Sequence, residues 1–231
     1  MADSSFASRF SARWSWVADF LRRSGWRLPF LFVGVLLPLW GFGELAEDVR
    51  AGDAFFFDRP LLEFAHAHAS PFFDQLALLL ARIGYRDGVL PFDIALVLFL
   101  ALRGRKRESL FAGIAFGGSA LLNIATKHYF ARARPDFWLS LAPETSFSFP
   151  SGHAMGSMTL AAVLAMLAWN TRWRWPVLVV AGAFALLVGA SRVYLGVHFP
   201  SDILAGWSAA LAWSLGVYAL VFRGSLRPSR G

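Results

Sequence analysis

The chain has 231 residues, of which 57% are hydrophobic and only 16% are charged. This composition is too apolar for an ordinary soluble domain and predicts an integral membrane protein. The formal net charge of +7 does not indicate nucleic-acid binding, because the basic residues stand in short runs between apolar segments. The sequence has no cysteine, which excludes disulfides, thiolate metal sites and cysteine nucleophiles.

The N-terminal segment has the pattern of an amphipathic helix. Its apolar residues recur at helical spacing with arginines between them: Phe6, Phe10, Trp14, Val17 and Leu21. Such a helix lies on the inner leaflet of a membrane. A transit peptide has a similar composition, but this segment leads directly into an apolar stretch. We therefore predict a cytoplasmic segment at 1–27, a membrane domain at 28–223 and a cytoplasmic tail at 224–231.

Six apolar segments follow in the membrane domain. They run over 28–45, 88–102, 109–126, 154–170, 175–191 and 203–222. Crossing a hydrocarbon core of about 30 Å takes roughly 20 helical residues, so the second segment, which is short and carries Asp93, is the weakest. Residues 71–81 are apolar but too short to span and predict an interfacial or re-entrant helix. The expected fold class is an all-α polytopic membrane protein with six transmembrane helices.

The basic residues give the expected orientation. Connections on one side of the predicted spans hold 14 of the 22 Lys and Arg residues. Cytoplasmic loops carry such an excess, so both termini are predicted to be cytoplasmic. The protein is accordingly expected in the inner (plasma) membrane. The opposite side then faces the periplasm or the cell exterior.

Three polar clusters lie on that outer side, each beside the end of a span. The first is residues 127–135, the second residues 149–153 and the third residues 191–202. Charge close to lipid is costly, so this placement needs a reason. Together the clusters hold cations, histidines, a carboxylate and a predicted helix N-terminus, which are the groups that phosphate chemistry requires.

The first property of these clusters is phosphate binding. A Pro-Ser-Gly sequence before an apolar segment predicts a helix N-terminus, whose free N–H groups and dipole attract an anion. Lysine and arginine neutralise phosphate oxygens, and arginine does so with two parallel hydrogen bonds. The candidate phosphate-binding residues are Lys127, Arg134, Ser151, Gly152 and Arg192.

The second property is nucleophilic catalysis. His198 and Asp202 are four residues apart, which places imidazole and carboxylate on one helical face. The carboxylate would fix the tautomer of His198 and leave its other ring nitrogen free to attack phosphorus. His153 is then the candidate general acid, and later the base that activates water.

Three motifs in these clusters resemble the signatures of the type 2 phosphatidic acid phosphatase and vanadium haloperoxidase superfamily: Lys127-x6-Arg134-Pro135, Pro150-Ser151-Gly152-His153 and Ser191-Arg192-x5-His198-x3-Asp202. The resemblance implies a phosphohistidine on His198, hydrolysis without a metal or other cofactor, and a membrane lipid as partner. The implied activity is hydrolysis of a lipid phosphate or diphosphate. We favour undecaprenyl diphosphate over phosphatidylglycerol phosphate or phosphatidic acid, and lipid A is also compatible.

Two alternatives from other classes stay open at this point. A vanadium-dependent haloperoxidase would use the same cage, but the resemblance implies that those enzymes are soluble. A membrane transporter or scaffold with a vestigial pocket predicts the loss of at least one catalytic residue, and none is lost.

Several other polar residues draw attention without matching a signature. Arg132 and His128 are expected at the surface, and Asp93 near the outer interface. The His-x-His pair at residues 66 and 68 lacks the further ligands that a metal site needs. Glu144, just before the second signature, could face the pocket. Glycines at 113 and 117 have the small-xxx-small spacing that brings helices into close contact.

Overall fold

The computed structural model describes residues 31–222, and this part of the chain is helical with connecting loops. A π-helical turn, Phe32–Leu36, leads into α1, Leu37–Ala51. Two short helices follow: α2, Asp58–Ala67, and α3, Pro71–Ile83. The remaining helices of the described part are α4, Val89–Leu102, α5, Lys106–Phe130, α6, Gly152–Ala168, α7, Arg174–Tyr194, and α8, Pro200–Val221.

The all-α membrane architecture is confirmed for residues 31–222. By length and apolarity, three of the described helices can each cross a membrane: α5, α7 and α8. α4 and α6 are apolar but have only 14 and 17 residues. At 1.5 Å per residue, α4 is about 21 Å long, short of a hydrocarbon core. The count of six spans and the side of the termini therefore stay predictions.

The domain division also stays a prediction. The amphipathic segment at 1–27, the start of the first predicted span and the tail at 224–231 lie outside the described residues. Within residues 31–222, the predicted interfacial run is α3, two residues longer than expected. α2 is a helix that the sequence analysis did not predict.

α8 is the central helix, and it contacts α1, α5 and α6. Near its C-terminal end it packs in a buried core that includes Phe111, Val163 and Tyr218. At its N-terminal end it approaches α6 very closely. A Cβ atom added at Gly206 would lie 2.9 Å from the carbonyl oxygen of Ser151, so only glycine allows this contact. The close approach brings the N-termini of the two helices together.

Four helix ends meet at one end of the bundle. They are the C-terminal ends of α5 and α7 and the N-terminal ends of α6 and α8. Asn123 of α5 donates to the carbonyl of Pro150 (3.1 Å), and the amide of Ser151 donates to the carbonyl of Asp202 (3.1 Å). α2 and α3 cover this end, since Ser201 bonds Asp58 and Tyr194 bonds Asp74. The three sequence clusters therefore share one end of the molecule.

Candidate active site

The side chain of Glu144 lies at the centre of the site. Its Oε2 accepts a hydrogen bond from Nη2 of Arg134 (2.6 Å), and its Oε1 accepts one from Nη2 of Arg192. His153 Nδ1 lies 3.7 Å from Oε1, and His198 Nε2 lies 4.0 Å from Oε2. Two guanidinium groups and two imidazole rings thus converge on one carboxylate. This is the position that the geometry offers to an oxyanion.

Glu144 is charged in this setting. Burial favours its neutral acid form, but Arg192, His198 and Arg134 outweigh burial and hold the pKa of Glu144 below its ordinary value. The sequence indicated only that this residue could face the pocket. Its position at the centre depends on the loop between α5 and α6, which returns over the bundle end.

His198 lies in the loop between α7 and α8 and is fully buried. Its Nδ1 is 3.3 Å from Oδ2 of Asp202, and its Nε2 is 3.0 Å from Nη1 of Arg134. An arginine can only donate, so these contacts assign the proton of the neutral ring to Nδ1 and the lone pair to Nε2. Burial lowers the pKa of His198 to about 4, against the opposing effect of Asp202. At neutral pH the ring is therefore uncharged, with Nε2 directed at the oxyanion position.

Asp202 is held by several donors in the first turn of α8. Its Oδ2 accepts from the backbone amide of Phe199 (2.9 Å) and from the hydroxyl of Ser148. Its Oδ1 accepts from Nη1 of Arg132 (2.6 Å). The contact with Phe199 also caps the N-terminus of the helix, and the hydroxyl of Ser148 holds the same oxygen beside His198.

The predicted phosphate-binding cations take different positions. Arg192 is 1% exposed, and its Nε has no hydrogen-bond partner among the described residues. A buried guanidinium with a spare donor is suited to a further anion. Lys127 lies further out: its Nζ donates to the hydroxyl of Ser146 (3.1 Å) and to the carbonyl of Phe147, not to Glu144.

The N-terminus of α6 provides the remaining predicted groups. Ser151 caps the helix, since its hydroxyl oxygen accepts from the amide of Ala154 (3.4 Å). Gly152 lies close to Asn123, and an added Cβ would meet its Oδ1 at 3.0 Å. His153 Nε2 is 3.1 Å from the carbonyl oxygen of Ala81 in α3, which leaves Nδ1 toward Glu144. The fold thus brings all the predicted site residues to one end of the bundle.

Two cavities adjoin this site. The first, the polar cavity, has a volume of about 680 Å³ and is lined by Lys127, Glu144 and His153 among others. The second, the apolar groove, has a volume of about 340 Å³ and runs between α4, α5 and α6. The lining residues that both share are Tyr85, Asn123 and Gly152. The groove therefore adjoins the polar cavity at this end of the bundle.

The apolar groove revises the expectation for two glycines. Gly113 and Gly117 line it, and a Cβ added at Gly117 would meet nothing within 4 Å. These glycines widen the groove, and the prediction of close helix packing there is wrong. Asp93 also lines the groove, and its Oδ1 has no hydrogen-bond partner within residues 31–222.

Arg132 is largely buried, although it was expected at the surface. Its side chain is only 16% exposed and forms ion pairs with Asp58 and Asp202, so the expectation of a surface residue is wrong. Asp58 and Ser148 were missed altogether, because neither lies in a signature. His128 is exposed, as expected, and its ring contacts the carbonyl of Ile124 in its own helix. His66 stacks on Trp138.

Comparison with known proteins identifies the family. Phosphatidylglycerophosphatase B of Bacillus subtilis is 35% identical over 146 residues, which cover 61% of this chain and 71% of that protein. An undecaprenyl-diphosphatase of Sulfolobus acidocaldarius is 32% identical over 137 residues, covering 57% of this chain and 63% of that protein.

A solved structure supports the same assignment. The transmembrane PAP2-type phosphatidylglycerolphosphate phosphatase from Bacillus subtilis has a TM-score of 0.71 and 28% identity, over 80% of this chain and 94% of that chain. The model of the PAP2 superfamily matches residues 108–225, more than half of the sequence. This chain therefore belongs to the PAP2 superfamily, the family that its three signatures resemble.

Proposed function

We propose that this membrane lipid phosphatase cleaves the phosphate or diphosphate of its lipid through a covalent phosphohistidine on His198. The observation that carries the proposal is the convergence of Arg134, Arg192, His153 and His198 on the Glu144 carboxylate. A phosphoryl group that replaced this carboxylate would meet two forked cations, one neutral imidazole nucleophile and a second imidazole.

The first half of the reaction transfers the phosphoryl group to the enzyme. Nε2 of His198 attacks phosphorus, and the bond from phosphorus to the lipid oxygen breaks. His153, protonated on Nδ1 by the proton that a phosphate monoanion carries into the site, donates that proton to the leaving oxygen. Asp202 stabilises the positive charge that the His198 ring gains on bonding phosphorus, and Arg134 and Arg192 bind the charged phosphoryl oxygens.

The second half releases phosphate. Water attacks phosphorus of the phosphohistidine, and His153, now neutral, takes the proton that water loses. The bond from phosphorus to Nε2 breaks, which returns His198 to its neutral form. The two histidines approach different oxygens of Glu144, at 3.7 and 4.0 Å, which suits groups that act on different oxygens of one phosphoryl group.

The apolar groove supports a lipid substrate. It begins at Tyr85, Asn123 and Gly152 beside the site and continues between α4 and α5. A lipid whose phosphate lies among the arginines would extend its chain there and remain in contact with apolar side chains.

We keep undecaprenyl diphosphate as the favoured substrate and phosphatidylglycerol phosphate as the second candidate. One relative is named for each of these activities. We also infer that the site faces the periplasm or the cell exterior of an inner (plasma) membrane. The sequence supports this orientation, because the predicted cytoplasmic termini and connections together hold 14 of the 22 Lys and Arg residues.

The test is phosphate release by the purified chain in detergent, with EDTA present. The panel contains undecaprenyl diphosphate, phosphatidylglycerol phosphate and phosphatidic acid. We expect release by the wild type, loss of release in His198→Ala, and little change in His68→Ala, an exposed histidine that lines neither cavity. Radioactive lipid phosphate should also label the wild type at histidine. No release by folded wild type, or full activity of His198→Ala, would move the assignment to a transporter or scaffold.

A further inference from the structure

We propose that Arg132 is a positioning residue for the phosphohistidine reaction, acting through Asp202, and that Asp58 holds it in place. This inference rests on the proposed function, because it concerns how His198 is supported during phosphoryl transfer. Neither Arg132 nor Asp58 belongs to a signature, and Asp58 lies outside the residues that match the family model, 108–225.

Arg132 lies between two buried carboxylates. Its Nη1 donates to Oδ1 of Asp202 (2.6 Å), and its Nη2 donates to Oδ2 of Asp58 (3.0 Å). Asp202 is 0% exposed and Asp58 is 4% exposed. The guanidinium also lies over the ring of Phe199, 4.3 Å from its centroid. A single forked side chain therefore joins two acids that would otherwise face each other without a counter-charge.

Ser201 ties the same group to the start of α8. Its amide donates to Oδ1 of Asp58 (2.8 Å), and its hydroxyl donates to Oδ2 of Asp58 (2.6 Å). Nη1 of Arg132 also donates to this hydroxyl oxygen (2.8 Å). Asp58 thus anchors both the helix that carries Asp202 and the arginine that contacts it.

The arrangement divides the two oxygens of Asp202 between two tasks. Oδ1 is occupied by Arg132, while Oδ2 lies 3.3 Å from Nδ1 of His198. The carboxylate is thereby held ionised and oriented, which keeps the imidazole in the tautomer that exposes Nε2. Arg132 does not line the polar cavity, so it acts behind the nucleophile rather than on the substrate.

The expected effect of Arg132→Gln follows from this placement. Two buried carboxylates would lose their shared cation, so Asp202 would support the charged His198 ring less well and would take up a proton more readily. We expect kcat to fall by roughly 10 to 100-fold, the usual cost of losing a supporting partner of this kind. We expect KM to change by less than about threefold, because the arginines that bind phosphate are untouched.

A second substitution distinguishes this role from a merely structural one. Replacing Asp58 by Asn in the Arg132→Gln background removes the like charge that faces Asp202. We expect the Arg132→Gln/Asp58→Asn double variant to be at least about fivefold more active than Arg132→Gln alone, in the range of ordinary coupling between contacting groups. A structural role predicts additive losses instead.

The experiment measures kcat and KM for phosphate release by full-length protein in detergent, on the panel lipid with the highest wild-type activity. Arg59→Gln is the matched control, since Arg59 adjoins Asp58 in sequence but pairs with Glu63 at the surface. Arg132→Lys keeps the charge without the fork, and we expect at least about a fivefold loss of kcat. Size-exclusion profiles and thermal unfolding show whether each variant is folded.

The outcomes separate the two hypotheses. Inactive wild type overturns the proposed function and this inference with it. Active wild type with inactive His198→Ala, together with full kcat in Arg132→Gln, overturns only the inference. A double variant in which the two substitutions lower kcat additively also overturns only the inference. If Arg132→Gln does not fold, Arg132→Lys decides: unchanged kcat overturns the inference, and reduced kcat at unchanged KM supports it.

Discussion

At the scale of single residues, the carboxylate of Glu144 is the feature with the clearest consequence. It bonds Arg134 and Arg192, the guanidinium groups that bind the phosphoryl group in the proposed mechanism, so in that mechanism the substrate displaces it. An ionised carboxylate and a phosphate dianion cannot share this position, because like charges at such distances repel strongly. The ionised Glu144 therefore weakens the binding of an anion at this position.

The first prediction concerns this competition. We expect Glu144→Gln to bind inorganic phosphate more tightly by about tenfold, which corresponds to ~1.4 kcal/mol. The neutral amide no longer holds Arg134 and Arg192 by charge. The measurement is the inhibition constant of phosphate against lipid hydrolysis, with exposed Glu63→Gln as control. An unchanged or weaker inhibition constant in Glu144→Gln would contradict the competition.

The second prediction concerns the titration of His198. Burial holds its pKa at about 4, below the ordinary value of 6.5. Between about pH 4 and pH 6.5, His198 is therefore protonated in the unfolded chain but neutral in the folded chain. The contribution of His198 to the free energy of unfolding is present above this pH range and is lost as the pH falls through it.

The measurement is ¹⁵N NMR of histidine-labelled protein in detergent, with His198→Gln used to assign the signal. We expect the nitrogens of His198 to keep the shifts of a neutral ring down to about pH 5. A midpoint near 6.5 would show that the ring is charged under mildly acidic conditions, and so would contradict the proposed neutral nucleophile.

At the scale of helices, the groove between α4 and α5 depends on the absence of side chains at two glycines. The third prediction is that Gly117→Phe fills this groove and impairs hydrolysis of long-chain lipids. We expect kcat/KM for undecaprenyl diphosphate to fall by at least about tenfold, since each methylene that loses burial costs ≈ 0.8 kcal/mol.

Short-chain substrates provide the internal comparison for the groove. Hydrolysis of a water-soluble phosphate ester should be unchanged within about twofold in Gly117→Phe, because the charged end of the site is intact. Gly182→Phe on α7 is the matched control. A Cβ added at Gly182 also meets nothing within 4 Å, but Gly182 does not line the groove. Equal losses on both substrates would argue against a chain-binding groove.

The fourth prediction, also at this scale, concerns the contact between α6 and α8. Gly206→Val would place Cβ 2.9 Å from the Ser151 carbonyl oxygen and 3.2 Å from Ala154 Cβ. We expect a loss of about 1–3 kcal/mol in the free energy of unfolding, as for other overpacked sites. Denaturation in mixed micelles measures it, with Gly216→Val, in open space on the same helix, as control. Equal stability of both variants would contradict the packing argument.

At the scale of the whole molecule, the described helices place the site at one end of the bundle and residues such as Arg103, Lys106 and Arg174 at the other. The chain has no cysteine, so single cysteine substitutions report orientation without interference. The fifth prediction is that a membrane-impermeant maleimide labels Leu139→Cys in intact cells and labels Lys106→Cys only after permeabilisation. Leu139 is 98% exposed at the site end of the bundle. The reverse labelling pattern would place the site on the cytoplasmic side.

Much of the site was predictable because its groups stand at short spacings along the chain. His198 lies just before α8 and Asp202 lies in its first turn, and the Pro-Ser-Gly sequence predicts the N-terminus of α6. Apolarity likewise predicted the long helices, since a membrane span must be continuously apolar. α2 was not predicted because charged residues interrupt its apolar residues, so it is not a continuously apolar segment.

The sequence by itself determined the chemical groups, their family and the all-α membrane class, because each depends on local residue order. The tertiary structure decided which groups meet. Arg132 reaches Asp58 across 74 positions, and Arg192 reaches Glu144 across 48. Such contacts depend on how the helices pack and how loops return over their ends. No periodicity or motif in the sequence predicts contacts between residues so far apart in the chain. The contacts of Arg132 with Asp58 and Asp202, and the position of Glu144 beside His198, were therefore found only in the tertiary structure.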